Sequence, residues 1–193
     1  MDLPFLSSYS ELSDNKPLMD QFSAIKLVVF DVDGVLTDGR LLYTSEGETI
    51  KSFNVKDGVA MKLLPKWGVK VAVITAKDSL PLRKRMQDLN VEHFYPGCHN
   101  KAEAFADLTS NLGIAREDAA YVGDDVIDLQ VMPHVGLSFC PEDAHVLVKR
   151  HCSFALTKGA GQGVAREVAD LLLASRMTLE EAYELAQKPE FEK

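Results

Sequence analysis

Cysteine is scarce in this chain and arranged to bind nothing. Cys98, Cys140 and Cys152 are the only three in 193 residues. They are an odd number with no CxxC and no Cys/His pairing at zinc spacing, which reads as reduced cytosolic thiols and excludes a disulfide framework or a zinc knuckle. His93, His99, His134, His145 and His151 are scattered without metal spacing, and read as structural or surface residues. Positive charge is also short: 21 Lys and Arg stand against 29 Asp and Glu, for a net charge of −8. With no basic run to neutralise a phosphate backbone, nucleic acid is not the expected partner. No apolar run approaches the roughly 18 residues that suggest a membrane span. The opening MDLPFLSSYS lacks the basic start and apolar centre of a signal peptide, so a cytoplasmic protein without a membrane partner is expected. Internal repeats and low-complexity tracts are missing too.

What remains is ordinary globular composition, 46% hydrophobic and 26% charged residues, in a length suited to one α/β domain with a proper core. The informative stretch is IKLVVFDVDGVLTDG, Ile25 to Gly39. Leu27, Val28, Val29 and Phe30 predict a central strand buried on both faces. Asp31 and Asp33 follow at its C-terminal end, where open parallel sheets bind their ligands. Asp31 can be a nucleophile that takes a phosphoryl group, and Asp33 can trade protons with the leaving group and then with water. Two carboxylates repel a phosphate dianion, so a hard cation such as Mg²⁺ is needed beside them. A strand ending in an acidic turn would be the plain alternative for this motif taken alone.

Along the chain, residues 1 to about 23 read as a loosely attached arm with a short helix. Residues 24–177 read as one domain, and 178–193 as a C-terminal helix and tail. LLYTSEGETIKSFNV predicts a β-hairpin from about Leu41 to Val55, standing beside the site as a flap. A helix follows from about Gly58 to Trp67, ended by Gly68. Val69 to Ile74 is a second buried strand closed by Thr75, and Leu80 to Leu89 a helix. Glu92 to Tyr95 is a strand, and Asn100 to Leu112 a helix with Lys101 near its start. Ala119 to Val122 is a strand that leads through Gly123 to Asp124, Asp125 and Asp128 at the next helix's N-terminus. There Asp125 and Asp128 could serve the helix dipole alone, and Asp124 is the better ligand candidate. Val135 to Ser138 and Ser153 to Leu156 read as peripheral strands around a helix near Ala144 to Lys149. Helices then follow at Val164 to Ser175 and at Thr178 to Gln187, the latter with a capping signal at Thr178. This alternation predicts a three-layer, Rossmann-like α/β fold with a mainly parallel sheet.

The pieces combine into one constellation: Asp31 with Asp33, Thr75, Lys101, and Asp124 with Asp125, at successive strand ends or helix starts. Thr75 can donate to a phosphoryl oxygen. Lys101 can neutralise a phosphate, and Asp124 can complete a metal's ligands with Asp31 and the Asp33 carbonyl.

DVDGVLTDG, the strand-terminal Thr75, the Asn100-Lys101 pair and GDDVID together resemble the four motifs of the haloacid dehalogenase superfamily of phosphatases, in order across about residues 25 to 175. The resemblance implies Asp31 as nucleophile, Asp33 as general acid and base, Thr75 and Lys101 as phosphate binders, and Asp124 as the Mg²⁺ ligand. Asp125 and Asp128 would stand behind it. Asp33 and Thr75 are 42 residues apart and Thr75 and Lys101 26, so no cap domain fits between them. FNVKDGVAMKLL, ITAK, YPGCHNK, YVGDDVIDLQVM and GAGQGVAREV are closely similar to the 3-deoxy-D-manno-octulosonate 8-phosphate (KDO 8-phosphate) phosphatases, homotetramers of lipopolysaccharide-sugar biosynthesis. By that likeness the substrate is a small acidic sugar phosphate, and Gly159 to Gly163, with Gly161 and Gly163, would reach into a neighbour's site. Lys56 and Asp57 after the flap could approach the substrate, although Asp57 could equally cap a helix.

Two departures stand out. The family pattern after the threonine is Gly-Arg, where this chain has Ala76-Lys77, and its C-terminal segment often has Arg at the place of Gln162. Lys77 keeps the charge without the bidentate fork that suits a carboxylate, or is simply a solvated loop lysine, and Arg166 could lie on a helix surface. A nonulosonate 9-phosphate phosphatase is the nearest rival, though a glutamate replaces Lys77 there. A phospho-accepting receiver domain orders its motifs differently, and an idle scaffold would not fill every catalytic position.

Overall fold

The computed structural model describes residues 15–191. In chain order the elements are α1 (Lys16–Ser23), β1 (Leu27–Phe30), β2 (Leu42–Thr44), β3 (Gly47–Ile50), α2 (Val55–Leu63), β4 (Lys70–Ile74), α3 (Leu80–Asp88) and β5 (His93–Tyr95). Then come α4 (Lys101–Leu112), β6 (Ala119–Val122), β7 (Leu137–Cys140), α5 (Val146–His151), β8 (Phe154–Ala155), α6 (Val164–Ala174) and α7 (Leu179–Tyr183).

One six-stranded sheet runs β5-β4-β1-β6-β7-β8, every pairing parallel. The chain winds outward from β1 through β4 to β5, then returns to lay β6 on the other side of β1. That reversal opens a crevice at the carboxyl end of β1, where Asp31 begins. Each residue of β1 is buried, and alternation divides its side chains between two cores. Val28 and Phe30 pack with residues of α1, α2, α3 and α6, whereas Leu27 and Val29 pack with Phe105 and Leu108 of α4 and Val148 of α5. The result is the expected three-layer α/β fold.

β2 and β3 form their own antiparallel pair. This hairpin and α2 occupy the chain between Asp33 and Thr75, and α3 and β5 fill the stretch from Thr75 to Lys101, leaving no cap domain in either.

Several expectations are corrected. Residues 1–14 of the predicted arm lie outside the described residues, but the remainder is not loose. Phe22 is fully buried and meets Phe139 and Phe154 edge-on, at centroid distances of 5.7 and 5.3 Å, contacts each worth about 1 kcal/mol beyond burial. Helix α2 starts earlier than predicted, because Asn54 rather than Asp57 accepts from the Lys56 backbone, and it ends in a 3₁₀ turn at Leu64–Trp67 with Pro65 near its start. The predicted helix after Asp125 is a 3₁₀ segment, Val126–Gln130. Strand β7 begins later than predicted because Gly136 is spent on a tight approach, its N–H donating to Arg116 O and Ala119 O. The C-terminal helix is short, Leu179–Tyr183 and then a 3₁₀ turn, although the Thr178 capping box forms with Glu181. All three cysteines are free, and among the described residues no helix is long and apolar enough to cross a membrane.

Candidate active site

The sheet itself delivers the site. The N–H of Asp31 continues the β1–β6 ladder by donating to Val122 O at 3.0 Å, so its carboxylate leaves the sheet directly beside the loop after β6. The chain then turns tightly, with the Val32 carbonyl accepting from the N–H groups of Val35, Leu36 and Thr37. Gly34 makes the turn possible with φ +90, and a Cβ there would stand 2.0 Å from Asp124 Oδ2. The glycine therefore sets how closely Asp124 approaches the first motif.

Asp31, Asp124 and Asp128 each offer an oxygen, all within 4.8 Å of one another. Their roles are separable by their other bonds. Asp128 is fully buried and spends both oxygens: Oδ1 accepts from Lys101 Nζ at 2.7 Å and Tyr121 Oη at 2.8 Å, and Oδ2 from the Asp124 and Asp125 N–H groups at 2.9 and 3.1 Å. It is the post on which the loop hangs. Asp125 turns away to cap the Val126 N–H at 2.7 Å. Asp124 Oδ1, by contrast, is buried with no hydrogen-bond partner. An orphaned oxygen on a carboxylate beside Asp31, in a set made only of hard oxygen donors, fits a divalent cation of the Mg²⁺ type.

The electrostatics agree. Burial first, and then Asp128, push Asp31 up to about 7 against the pull of Lys101. Burial, followed by Asp31, Asp128 and Asp125, pushes Asp124 up to about 8. Such a cluster calls for positive charge. Lys101 supplies one, its Nζ 3.0 Å from Asp31 Oδ1. Burial alone would lower the lysine's pKa, but Asp31 and Asp128 outweigh it and raise it. Asn100 caps α4 by accepting from Glu103 N at 3.2 Å, which aims Lys101 inward from the first turn.

Thr75 is buried at the end of β4, its N–H bonded to Tyr95 O and its carbonyl to Cys98 N. Its hydroxyl accepts from Lys77 N at 3.3 Å, which leaves the O–H proton available to another acceptor. Lys77 itself is exposed, as is Lys56.

Three proposed substrate contacts change place. Asp57 is buried and faces α6, accepting from Arg166 N at 2.9 Å, so it caps a helix other than its own. Gly161 and Gly163 belong to a segment folded onto its own chain: Gly161 N donates to Val35 O at 3.0 Å, and a Cβ on Gly161 would meet Asp38 N at 2.8 Å. Gly163 is the N-cap of α6. The glycine-rich segment is thus built against the first motif of its own subunit. Arg166 is half-buried, its Nε 3.1 Å from Asp170 Oδ1 and its guanidinium 4.2 Å from the centre of the Tyr183 ring.

Sequence reasoning missed Lys51, Glu48, Thr37 and Tyr121. Lys51 Nζ contacts Asp33 Oδ1 and lies 2.6 Å from Glu48 Oε1, and Thr37 Oγ1 donates to the same Asp33 oxygen at 3.2 Å. A tyrosine in an all-buried strand needs a partner for its hydroxyl, and that was the available signal for Tyr121.

Comparison with known proteins is decisive at this point. Residues 85–168 match the model of a haloacid dehalogenase-like hydrolase family. The chain is 41% identical over 165 residues to the 3-deoxy-D-manno-octulosonate 8-phosphate phosphatase KdsC of Escherichia coli strain B, covering 86% of this chain and 88% of that protein. The chain belongs to the KDO 8-phosphate phosphatase family of haloacid dehalogenase-like hydrolases. Among solved members of the family, the Moraxella catarrhalis KDO 8-phosphate phosphatase, in complex with magnesium, phosphate and KDO, has a TM-score of 0.83 at 32% identity and covers 88% of this chain and 97% of its own. The cobalt-bound phosphatase of Haemophilus influenzae has a TM-score of 0.79 at 41% identity, covering 81% and 91%.

Proposed function

We propose that the chain is a cytoplasmic, Mg²⁺-dependent phosphatase that hydrolyses KDO 8-phosphate to KDO and phosphate, in lipopolysaccharide precursor biosynthesis. The observation that carries this reading is the juxtaposition of Asp31, Lys101 and the orphaned Asp124 oxygen at one strand end, in a member of a family whose solved relative holds magnesium, phosphate and KDO.

In this reading an oxygen of Asp31 attacks phosphorus. The bond from phosphorus to the sugar oxygen breaks, and Asp33 gives that oxygen its proton. Asp33, now ionised, takes a proton from water, whose oxygen attacks the aspartyl-phosphate and releases phosphate and free Asp31. Lys101 and the Thr75 hydroxyl hold the phosphoryl oxygens, and Asp128 and Asp125 hold the Asp124 loop. When bound by Asp31, Asp124 and the Asp33 carbonyl, Mg²⁺ supplies charge neutralisation between carboxylates and phosphate. Lys77 and Lys56, both exposed, are cations that could meet the sugar carboxylate.

A homotetramer is part of the proposal. Leu42, Tyr43 and Ile50 of the hairpin are 50%, 66% and 56% exposed, a concentration of apolar surface suited to subunit contact.

Phosphate release from KDO 8-phosphate, compared with a nonulosonate 9-phosphate and common hexose phosphates, tests the substrate. A strong preference for the first is expected. Equal turnover of the others would discard KDO 8-phosphate and retain the chemistry.

A further inference from the structure

The flap does more than stand over the crevice, because it carries a buried cation into it. Lys51 follows β3 directly, and its side chain is 1% exposed. The ammonium lies between two carboxylates, Asp33 from the β1 loop and Glu48 from β3. The two oxygens of Asp33 are treated differently. Oδ1 receives Lys51 Nζ and the Thr37 hydroxyl. Oδ2 is buried and has no partner at all. A carboxylate bound on one oxygen by two donors from separate segments cannot rotate freely about its last torsion, so its other oxygen points in one direction.

We propose that Lys51 is a positioning residue for the proton-transfer step: with Thr37 it fixes Asp33 through Oδ1 and presents Oδ2 alone to the leaving-group oxygen. The inference rests on the reading of Asp33 as general acid given above. Glu48 completes the device. It anchors the lysine from within the hairpin, so flap position and acid orientation are joined by one ion-paired chain. The hairpin therefore contributes to catalysis from within its own subunit, in addition to whatever surface it offers a neighbour. Proton transfer by a well-placed side chain is sensitive to direction as well as distance, and a free Asp33 would spend much of its time with neither oxygen on the leaving group.

The test uses leaving groups. A sugar alkoxide needs a proton as it departs, whereas a nitrophenolate leaves well without one. The full-length protein with Mg²⁺ is assayed on KDO 8-phosphate and on p-nitrophenyl phosphate, and kcat/KM is compared because it reports the step in which the leaving group departs. Lys51→Met is expected to lower kcat/KM for the sugar phosphate by about 10- to 100-fold, part of the range that general acid catalysis provides, and for the aryl phosphate by less than about a third of that factor. Lys51→Arg, which restores a cation to Oδ1, is expected to recover most of the sugar phosphate rate. If Lys51→Met does not fold, Lys51→Gln serves in its place, with the thermal midpoint recorded for each variant. Equal losses on both substrates, or no recovery with arginine, would overturn the proposal. Asp33→Asn separates the two layers of argument. If it loses the sugar phosphate selectively while Lys51→Met does not, the positioning role fails and the acid stands. If Asp33→Asn retains full turnover, the acid assignment fails and the inference with it.

Discussion

Lys101 Nζ and Asp128 Oδ1 meet at 2.7 Å with both side chains sealed from solvent. The pair joins the start of α4 to the loop after β6, and the same aspartate holds Tyr121 and the Asp124 and Asp125 N–H groups. Removing Asp128 leaves the buried Lys101 with Asp31 alone and takes the acceptor from Tyr121 Oη and the two loop N–H groups. Asp128→Ala is expected to destabilise the metal-free protein by about 3–5 kcal/mol, the usual result of breaking a buried ion pair from one side. Urea unfolding followed by circular dichroism measures it, and a loss within about 1 kcal/mol would mean that the loop has another support.

Gly34 offers a cleaner perturbation of the metal site. Its α-carbon faces Asp124 so closely that a methyl group would displace the carboxylate, and its φ of +90 resists any side chain. Gly34→Ala is expected to keep the fold and to raise the Mg²⁺ concentration needed for half-maximal phosphate release by about 10- to 100-fold, as loss of ligand placement generally does. An unchanged Mg²⁺ requirement would show that Asp124 does not hold the metal.

Much of the site was legible because its chemistry sits at strand ends. Asp31, Thr75 and Asp124 each follow an apolar run that the sequence marks clearly, and Lys101 follows an evident helix cap. The contacts that the sequence concealed cross long distances. Asp57 reads as a cap for α2 from its neighbours, yet it bonds to Arg166, 109 positions away. Lys51 is the sole basic residue between Arg40 and Lys56, but nothing local says that the hairpin folds its ammonium inward. Phe22 shares a helical spacing with Leu18 and Ile25, but the helix is only 8 residues long and set among polar residues, too short a pattern to announce a place in the core.

Asp57 makes a prediction about pH. Burial first, opposed by the Arg166 and Ala165 N–H groups, raises it from 3.8 to about 6. A raised carboxyl favours the folded state while protonated, and that advantage, complete below the unfolded value, is lost as pH rises through the folded one. Stability should therefore fall between about pH 4 and pH 6–7, by an amount on the order of 3 kcal/mol from this group. Asp57→Asn keeps an acceptor for Arg166 without the charge. Its urea midpoint should vary less with pH over that window than the parent's, and parallel curves would contradict the assignment.

Lys77 stands exposed, two residues beyond the Thr75 hydroxyl to which its own N–H is tied. If its ammonium meets the sugar carboxylate, Lys77→Ala should raise KM for KDO 8-phosphate about 10-fold or more, the worth of a charge-assisted hydrogen bond. KM for p-nitrophenyl phosphate, which has no such carboxylate, should stay within about 2-fold on the same reasoning. A matching rise for both substrates would assign Lys77 to the phosphate instead.

The most direct measurement is an acid quench during turnover of KDO 8-phosphate labelled with ³²P, with Mg²⁺ present, followed by peptide mapping. The account predicts acid-stable label on the peptide that contains Asp31, absent in Asp31→Asn. Rapid phosphate release with no label on the protein, or release undiminished in Asp31→Asn, would contradict it.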